Sequence, residues 1–238
     1  MHKRAVILAG GKGTRLRPYT VVLPKPLMPI GDYPVLEIII RQLAFYGFEH
    51  ITLTVNHQAE IIKAFFGDGS KWNIKIDYSF EDKPLSTMGP LKLIHDLPED
   101  FLIMNGDVLT DLDFDWFYNF HKNNGKLFSI SAFSRTEVSE YGVLFSNTDD
   151  ILTGFVEKPK NDYTVSMGIY MANREILNHI PENIAYGFDH LMLALIAKKQ
   201  EVLIHRHPGY WLDIGRPDDY IQAIDELELL KEKLMPWE

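Results

Sequence analysis

From Arg4 to Ala9 the chain runs apolar without alternation, the pattern of a central parallel strand covered on both faces, and it stops in Gly10-Gly11-Lys12-Gly13-Thr14. Pro34 to Tyr46 carries helical spacing, with Asp32 near the N-cap, proline in the first turn and Gly47 at the end. Ile51 to Val55 predicts a second strand, and Ala59 to Phe66 a short helix stopped by Gly67-Asp68-Gly69. Ile74 to Tyr78 alternates as a strand does. Phe101 to Met104 is a buried strand ending at Asn105-Gly106-Asp107. A helix from Asp113 to Lys122 follows, with Asp113 as N-cap, then a strand from Leu127 to Phe133. Tyr141 to Val156 reads as a hairpin around Asn147-Thr148-Asp149-Asp150. Val165 to Met171 and Val202 to His207 are further strands, and Phe188 to Lys199 and Pro217 to Leu234 further helices.

A βαβα opening followed by hairpins predicts an α/β fold: a three-layer, Rossmann-like, mainly parallel sheet that turns mixed towards its end. No internal repeat, low-complexity tract or linker divides the chain, so residues 1–238 are expected to form one domain. Ligands in such sheets bind at the carboxyl ends of the parallel strands. The glycine turn and Asp107 both fall on that edge, so two distant motifs are expected to converge.

Composition narrows the function. A formal net charge of −9 argues against broad nucleic-acid binding or anionic-membrane binding. The apolar run Val35 to Ile40 is interrupted by Glu37 and is too short to span a bilayer. The basic-then-apolar start from Met1 to Leu8 is too short for a signal peptide and runs into the glycine turn. The absence of cysteine excludes a disulfide scaffold and fits a cytoplasmic protein. An acidic protein that handles phosphates must concentrate its cations locally.

The stretch Leu8-Ala9-Gly10-Gly11-Lys12-Gly13-Thr14-Arg15-Leu16-Arg17-Pro18 does so. Its glycines let the backbone approach a ligand with exposed N–H groups, and Arg15 can fork onto phosphate oxygens. It is not a phosphate loop, which needs four residues between glycine and Gly-Lys, nor a dinucleotide fingerprint, which needs glycine at Leu16. In Pro24-Lys25-Pro26 the flanking prolines hold Lys25 in a rigid, extended segment. His205 and His207 share one strand face, but no third metal ligand accompanies them, and Asp111, Asp113 and Asp115 read as turn and cap residues.

The glycine–arginine run and the Pro-Lys-Pro ten residues after Arg15 resemble the signature of the sugar-nucleotide pyrophosphorylases, that is, sugar-1-phosphate nucleotidylyltransferases. The resemblance continues through Glu81 to Leu91, Asn105-Gly106-Asp107, Tyr141-Gly142-Val143, Glu157-Lys158-Pro159, Met167-Gly168-Ile169-Tyr170 and Trp211-Leu212-Asp213-Ile214-Gly215. It looks closest to the mannose-1-phosphate guanylyltransferase branch, without the C-terminal left-handed β-helix that many members carry.

The resemblance implies that a nucleoside triphosphate, GTP for preference, joins a sugar 1-phosphate and releases pyrophosphate. Arg15 and Lys25 would steady the triphosphate, and Asp107 and Asp213 would hold Mg²⁺, the expected cofactor. Leu8, Ala9, Gly10, Gly11, Gly13, Thr14, Glu81, Lys83 and Gly89 would line the nucleotide site. Gly142, Glu157 and Gly168 would meet the sugar, and Lys158 its phosphate. The expected partners are these two substrates alone, and homo-oligomerisation stays open. Lys83, Ser86, Met88 and Ser166-Met167 depart from the closest branch in the base- and sugar-binding stretches. UTP, dTTP or CTP therefore remain alternatives to GTP, as does a non-catalytic nucleotide-sugar-binding subunit.

Overall fold

The computed structural model describes every residue except Met1, Lys12 and His57. Strand β1 (Lys3–Leu8) is followed by the glycine turn, two short strands β2 (Pro29–Ile30) and β3 (Tyr33–Pro34), helix α1 (Val35–Phe45) and strand β4 (Phe48–Val55). Helix α2 (Ala59–Phe66), strands β5 (Lys75–Phe80), β6 (Asp100–Asn105) and β7 (Val108–Thr110), and helix α3 (Phe114–Asn124) come next. The long strand β8 (Phe128–Val138), hairpin strands β9 (Val143–Ser146) and β10 (Leu152–Val156), and the longer β11 (Lys160–Asn173) precede helix α4 (Phe188–Ala197). Strands β12 (Val202–Arg206) and β13 (Trp211–Asp213) and helix α5 (Pro217–Leu234) complete the order.

Seven strands form the central sheet in the order β12-β8-β11-β6-β1-β4-β5. β1 runs parallel to β4 and β6, and β4 to β5, whereas β11 is antiparallel to β6 and β8. Alternation along β1 explains the three layers. Ala5 and Ile7 pack into the core under α1, α3 and α5, while Val6 packs into a second core with Leu191 and Leu195 of α4. Leu102 and Met104 face the first core, and Phe101 and Ile103 the second. Both faces of the middle strands are thus dry, as their unbroken apolar runs require.

Several expectations change in detail. Asp32 does not cap α1: Pro34 occupies the N-cap in an extended conformation with no side-chain cap bond, because Asp32 sits in the turn between β2 and β3. Asp113 does cap α3, its carboxylate accepting the Trp116 N–H at 2.8 Å. β8 and β11 run well past the predicted Leu127–Phe133 and Val165–Met171, projecting as a paired arm beyond the carboxyl edge. Arg4, read as the start of an apolar run, is buried with its guanidinium on Thr52 Oγ1 at 2.7 Å and Asp96 Oδ1 at 2.9 Å. No helix among the described residues is long and apolar enough to cross a membrane.

Candidate active site

Two clefts open at the carboxyl edge, separated by a pair of carboxylates. Asp107 follows β6, and Asp213 ends β13, which pairs antiparallel with β7 (Asp213 opposite Val108). That short pairing is what brings the two distant aspartates together. Lys25, buried in a tight turn between prolines, donates to Asp107 Oδ2 and lies 3.8 Å from Asp213 Oδ1. Burial, then the nearby Asp107 charge, pushes the Asp213 carboxyl above the usual aspartate range, against the lowering pull of Lys25 and Arg15. One oxygen of each aspartate, Oδ1 in both, is buried without a hydrogen-bond partner. Two carboxylates gathered at one lysine, each with an oxygen free of hydrogen bonds, fit a hard divalent cation that completes its shell with phosphate and water. No third His, Asp or Glu joins them in a metal-type cluster among the described residues.

The first cleft, about 400 Å³, is lined by Leu8, Gly10, Gly11, Thr54, Asn56, Glu81, Pro84, Ser86, Thr87, Asn105 and Asp107. The glycine turn is held against β4, where the Ala9 N–H donates to the Thr54 carbonyl at 3.0 Å and the Asn56 amide donates to the Gly10 carbonyl. A Cβ on Gly10 would lie 3.0 Å from Glu81 Oε1 and 3.2 Å from Asn56 Nδ2, so only glycine leaves that wall open. Gly13 is left-handed (φ 60°) and caps a 3₁₀ turn over Thr14 and Arg15. Lys12 lies outside the described residues. Glu81 reaches the cleft with one oxygen on the Leu85 N–H at 3.0 Å, and burial raises its carboxyl.

Not every predicted nucleotide residue meets this cleft. Lys83 is exposed and off its lining. Gly89 is buried, its N–H spent on the Tyr186 carbonyl at 3.0 Å. Thr54 and Asn56 line it without having been singled out, whereas Ser86, Thr87 and Asn105 lie in stretches the resemblance already covered. For Asn56 the signal was present, since it directly follows β4 on the ligand edge.

Of the residues expected to meet the sugar, Gly168 is left-handed (φ 73°) at a bulge in the β8–β11 pairing, and a Cβ there would come 2.5 Å from Asn105 Nδ2. Gly142 sits against Phe155 and 2.9 Å from Glu157 Oε2, measured from an added Cβ. Lys158 is exposed with φ 44°, an uncommon backbone for lysine. The second cleft, about 300 Å³, lies across Asp213 and is lined by Arg15, Phe133, Arg135, Glu137, Trp211, Leu212, Asp213, Arg216, Asp219 and Gln222. Trp211 fixes one wall by donating its indole N–H to the Met167 carbonyl at 2.9 Å. His207 binds Asp111 at 2.7 Å and His205 packs against Trp116 with the rings tilted and 4.5 Å between centroids, so both histidines have structural partners.

Fold and site together define the class: an α/β protein whose parallel strands carry a divided, carboxylate-paired cleft at their carboxyl edge. The chain belongs to the nucleotidyl transferase family, whose model matches residues 4–229. It is 34% identical over 241 residues to the mannose-1-phosphate guanylyltransferase catalytic subunit beta of Drosophila pseudoobscura pseudoobscura, covering 98% of this chain and 65% of the relative. It is also 34% identical over 242 residues to a UTP–glucose-1-phosphate uridylyltransferase of Synechocystis, covering 93% and 62%. The chain thus spans slightly under two thirds of the length of these relatives. Among solved structures, HddC of Yersinia pseudotuberculosis complexed with GMP-PN superposes with a TM-score of 0.72 at 28% identity, over 94% of this chain and 99% of that one.

Proposed function

We propose that the protein is a sugar-1-phosphate nucleotidylyltransferase that uses Mg²⁺ and prefers GTP. The observation that carries the reading is the Asp107–Lys25–Asp213 group, with its two unpartnered carboxylate oxygens between two clefts. Mg²⁺, held by Asp107 and Asp213, supplies charge neutralisation between two polyanions that otherwise repel. The protein's own residues do the rest by positioning. Lys25 and Arg15 take up the negative charge that grows on the leaving phosphates. Glu157 accepts from sugar hydroxyls, Lys158 holds the sugar's phosphate, and Gly142 and Gly168 let the ring approach the backbone. The attacking sugar-phosphate oxygen is ionised at neutral pH, so no general base is needed.

Glu81 supports guanine. Its carboxylate lines the first cleft and can accept from the adjacent N1–H and N2 donors of that base, which uracil and thymine do not offer. The nucleotide analogue in the Yersinia structure and the names of the guanylyltransferase relatives point the same way. The domain reading, 1–238 as one unit, and a cytoplasmic site of action complete the proposal. Mass spectrometry of products from mixed triphosphates and mixed sugar 1-phosphates with Mg²⁺ tests it. GDP-sugar is the expected product; UDP-sugar would transfer the protein to the uridylyl branch, and no nucleotide sugar from any pair would refute the reaction.

A further inference from the structure

The second cleft holds more cations than this reaction has so far used. Arg15 comes from the glycine turn, Arg135 from β8 and Arg216 from the N-cap of α5, and all three line one cavity. Among the described residues, none of the three guanidiniums has an ion-pair partner within 4 Å or a side-chain hydrogen bond, although Arg15 lies near enough to Asp213 to pull its carboxyl down. All three are solvent-exposed, and in a chain of net charge −9 their convergence on one concavity concentrates positive charge there. Asp213, Asp219 and Glu137 share the lining, so a ligand that brings in cation and anion together satisfies both sets.

Continuity along the glycine turn identifies that ligand. Gly10, Gly11 and Asp107 wall the first cleft; Arg15 and Asp213 wall the second; Lys25 touches the carboxylates of both. A nucleotide with its base beside Glu81 and its α-phosphorus at the Asp107–Asp213 divide runs its outer phosphates along the turn to Arg15. Gly142, Glu157, Lys158 and Gly168, which the proposed function gives to the sugar, line neither cleft, so the second cleft stays open to the phosphates.

We propose that Arg135 and Arg216, with Arg15, form the pocket that holds the metal–pyrophosphate end of the nucleotide and releases it as product. The inference rests on the nucleotidylyl-transfer reading above. Planar guanidiniums suit this role, because each can fork onto two phosphate oxygens where an ammonium acts only as a point charge. The N-terminus of α5, an 18-residue helix, adds a favourable dipole on the same wall.

The test is calorimetry of Mg²⁺–pyrophosphate binding to wild type, Arg135→Gln and Arg216→Gln, with sugar 1-phosphate titrated in parallel. Each variant is expected to bind pyrophosphate ~10-fold more weakly, the scale of one lost charge-assisted contact, with sugar 1-phosphate affinity unchanged. Arg135→Lys and Arg216→Lys keep the charge but lose the fork, and are expected to fall between. In the reverse reaction, the KM for pyrophosphate should rise while that for the nucleotide sugar holds. Unchanged pyrophosphate affinity in both glutamine variants overturns the inference, and so does a loss confined to sugar 1-phosphate. A wild type that makes no nucleotide sugar but loses pyrophosphate binding on these changes would leave the pocket standing and bring down the reaction instead.

Discussion

Lys25 is the residue through which the two carboxylates of the site feel each other, and it makes them unequal. Asp107 is its direct partner, whereas Asp213 stands 3.8 Å away and is raised by burial and by Asp107. Both Asp107→Asn and Asp213→Asn remove charge that a bound cation needs, so turnover should fall by at least ~100-fold in each. Stability without ligand should separate them. Asp213→Asn relieves a half-buried, repelled carboxylate and is expected to hold or raise the urea midpoint. Asp107→Asn strips the nearest counter-charge from Lys25, which is 8% exposed, and should cost about 1–3 kcal/mol. From sequence the two aspartates look alike, and the reverse order of midpoints would contradict the geometry. A second pair of changes separates the base-binding candidates. Glu81→Gln should erode the preference for GTP, by at most ~10⁴ and by less in a solvated site, whereas exposed Lys83→Glu should leave it untouched. Competition among GTP, UTP, dTTP, CTP and ATP reads both, and a shift caused by Lys83→Glu alone would move base recognition away from Glu81.

At the scale of elements, the strands covered on both faces were the legible part. β1, β4 and β6 announce themselves because a dry strand has no polar face to break its run. The outer halves of β8 and β11 were missed for the same reason: Ser134-Arg135-Thr136-Glu137 lies beyond the core, is exposed, and carries no hydrophobic period. β7 and β13 were too short to show a pattern, yet their pairing joins Asp107 to Asp213. The glycine turn and Asp107 could be placed on one edge from topology, and Lys25 and Asp213 joined them only through the resemblance. Arg135 and Arg216 could not, because exposed arginines leave no periodic trace. Gly168 tests whether the bulge in β11 matters for more than shape. An added Cβ meets Asn105 at 2.5 Å and the backbone is left-handed, so Gly168→Ala should cost about 2 kcal/mol or more. It should also depress turnover by displacing Asn105 from the cleft it lines with Asp107. Thermal melting and kcat measured together check this; a variant with native melting and native kcat would show that the bulge has room to spare.

Across the whole molecule, pH acts through histidines whose protonation the fold disfavours, buried His121 above all. His121 is fully buried, with Nδ1 2.7 Å from Ser129 Oγ and Nε2 3.6 Å from Asp100 Oδ1, and burial lowers its pKa despite that carboxylate. Burial also lowers His179, helped by Lys198, and His205, helped by His207. A group whose native pKa lies below its unfolded value takes up protons first in the unfolded chain. Stability from these three sites is therefore complete above the unfolded histidine pKa of about 6.5 and is lost as pH falls below it towards the native values. The carboxyls of Asp213 and Glu81, raised by burial, pull the other way, and because wild type and His121→Gln share them, the difference between the two profiles isolates His121. The urea midpoint is therefore expected to drop between pH 7.5 and 5.5, with a shallower drop in His121→Gln, whose amide can still bond Ser129 but cannot titrate. Parallel pH profiles for wild type and variant would show that His121 protonates equally in both states, against the burial the fold gives it.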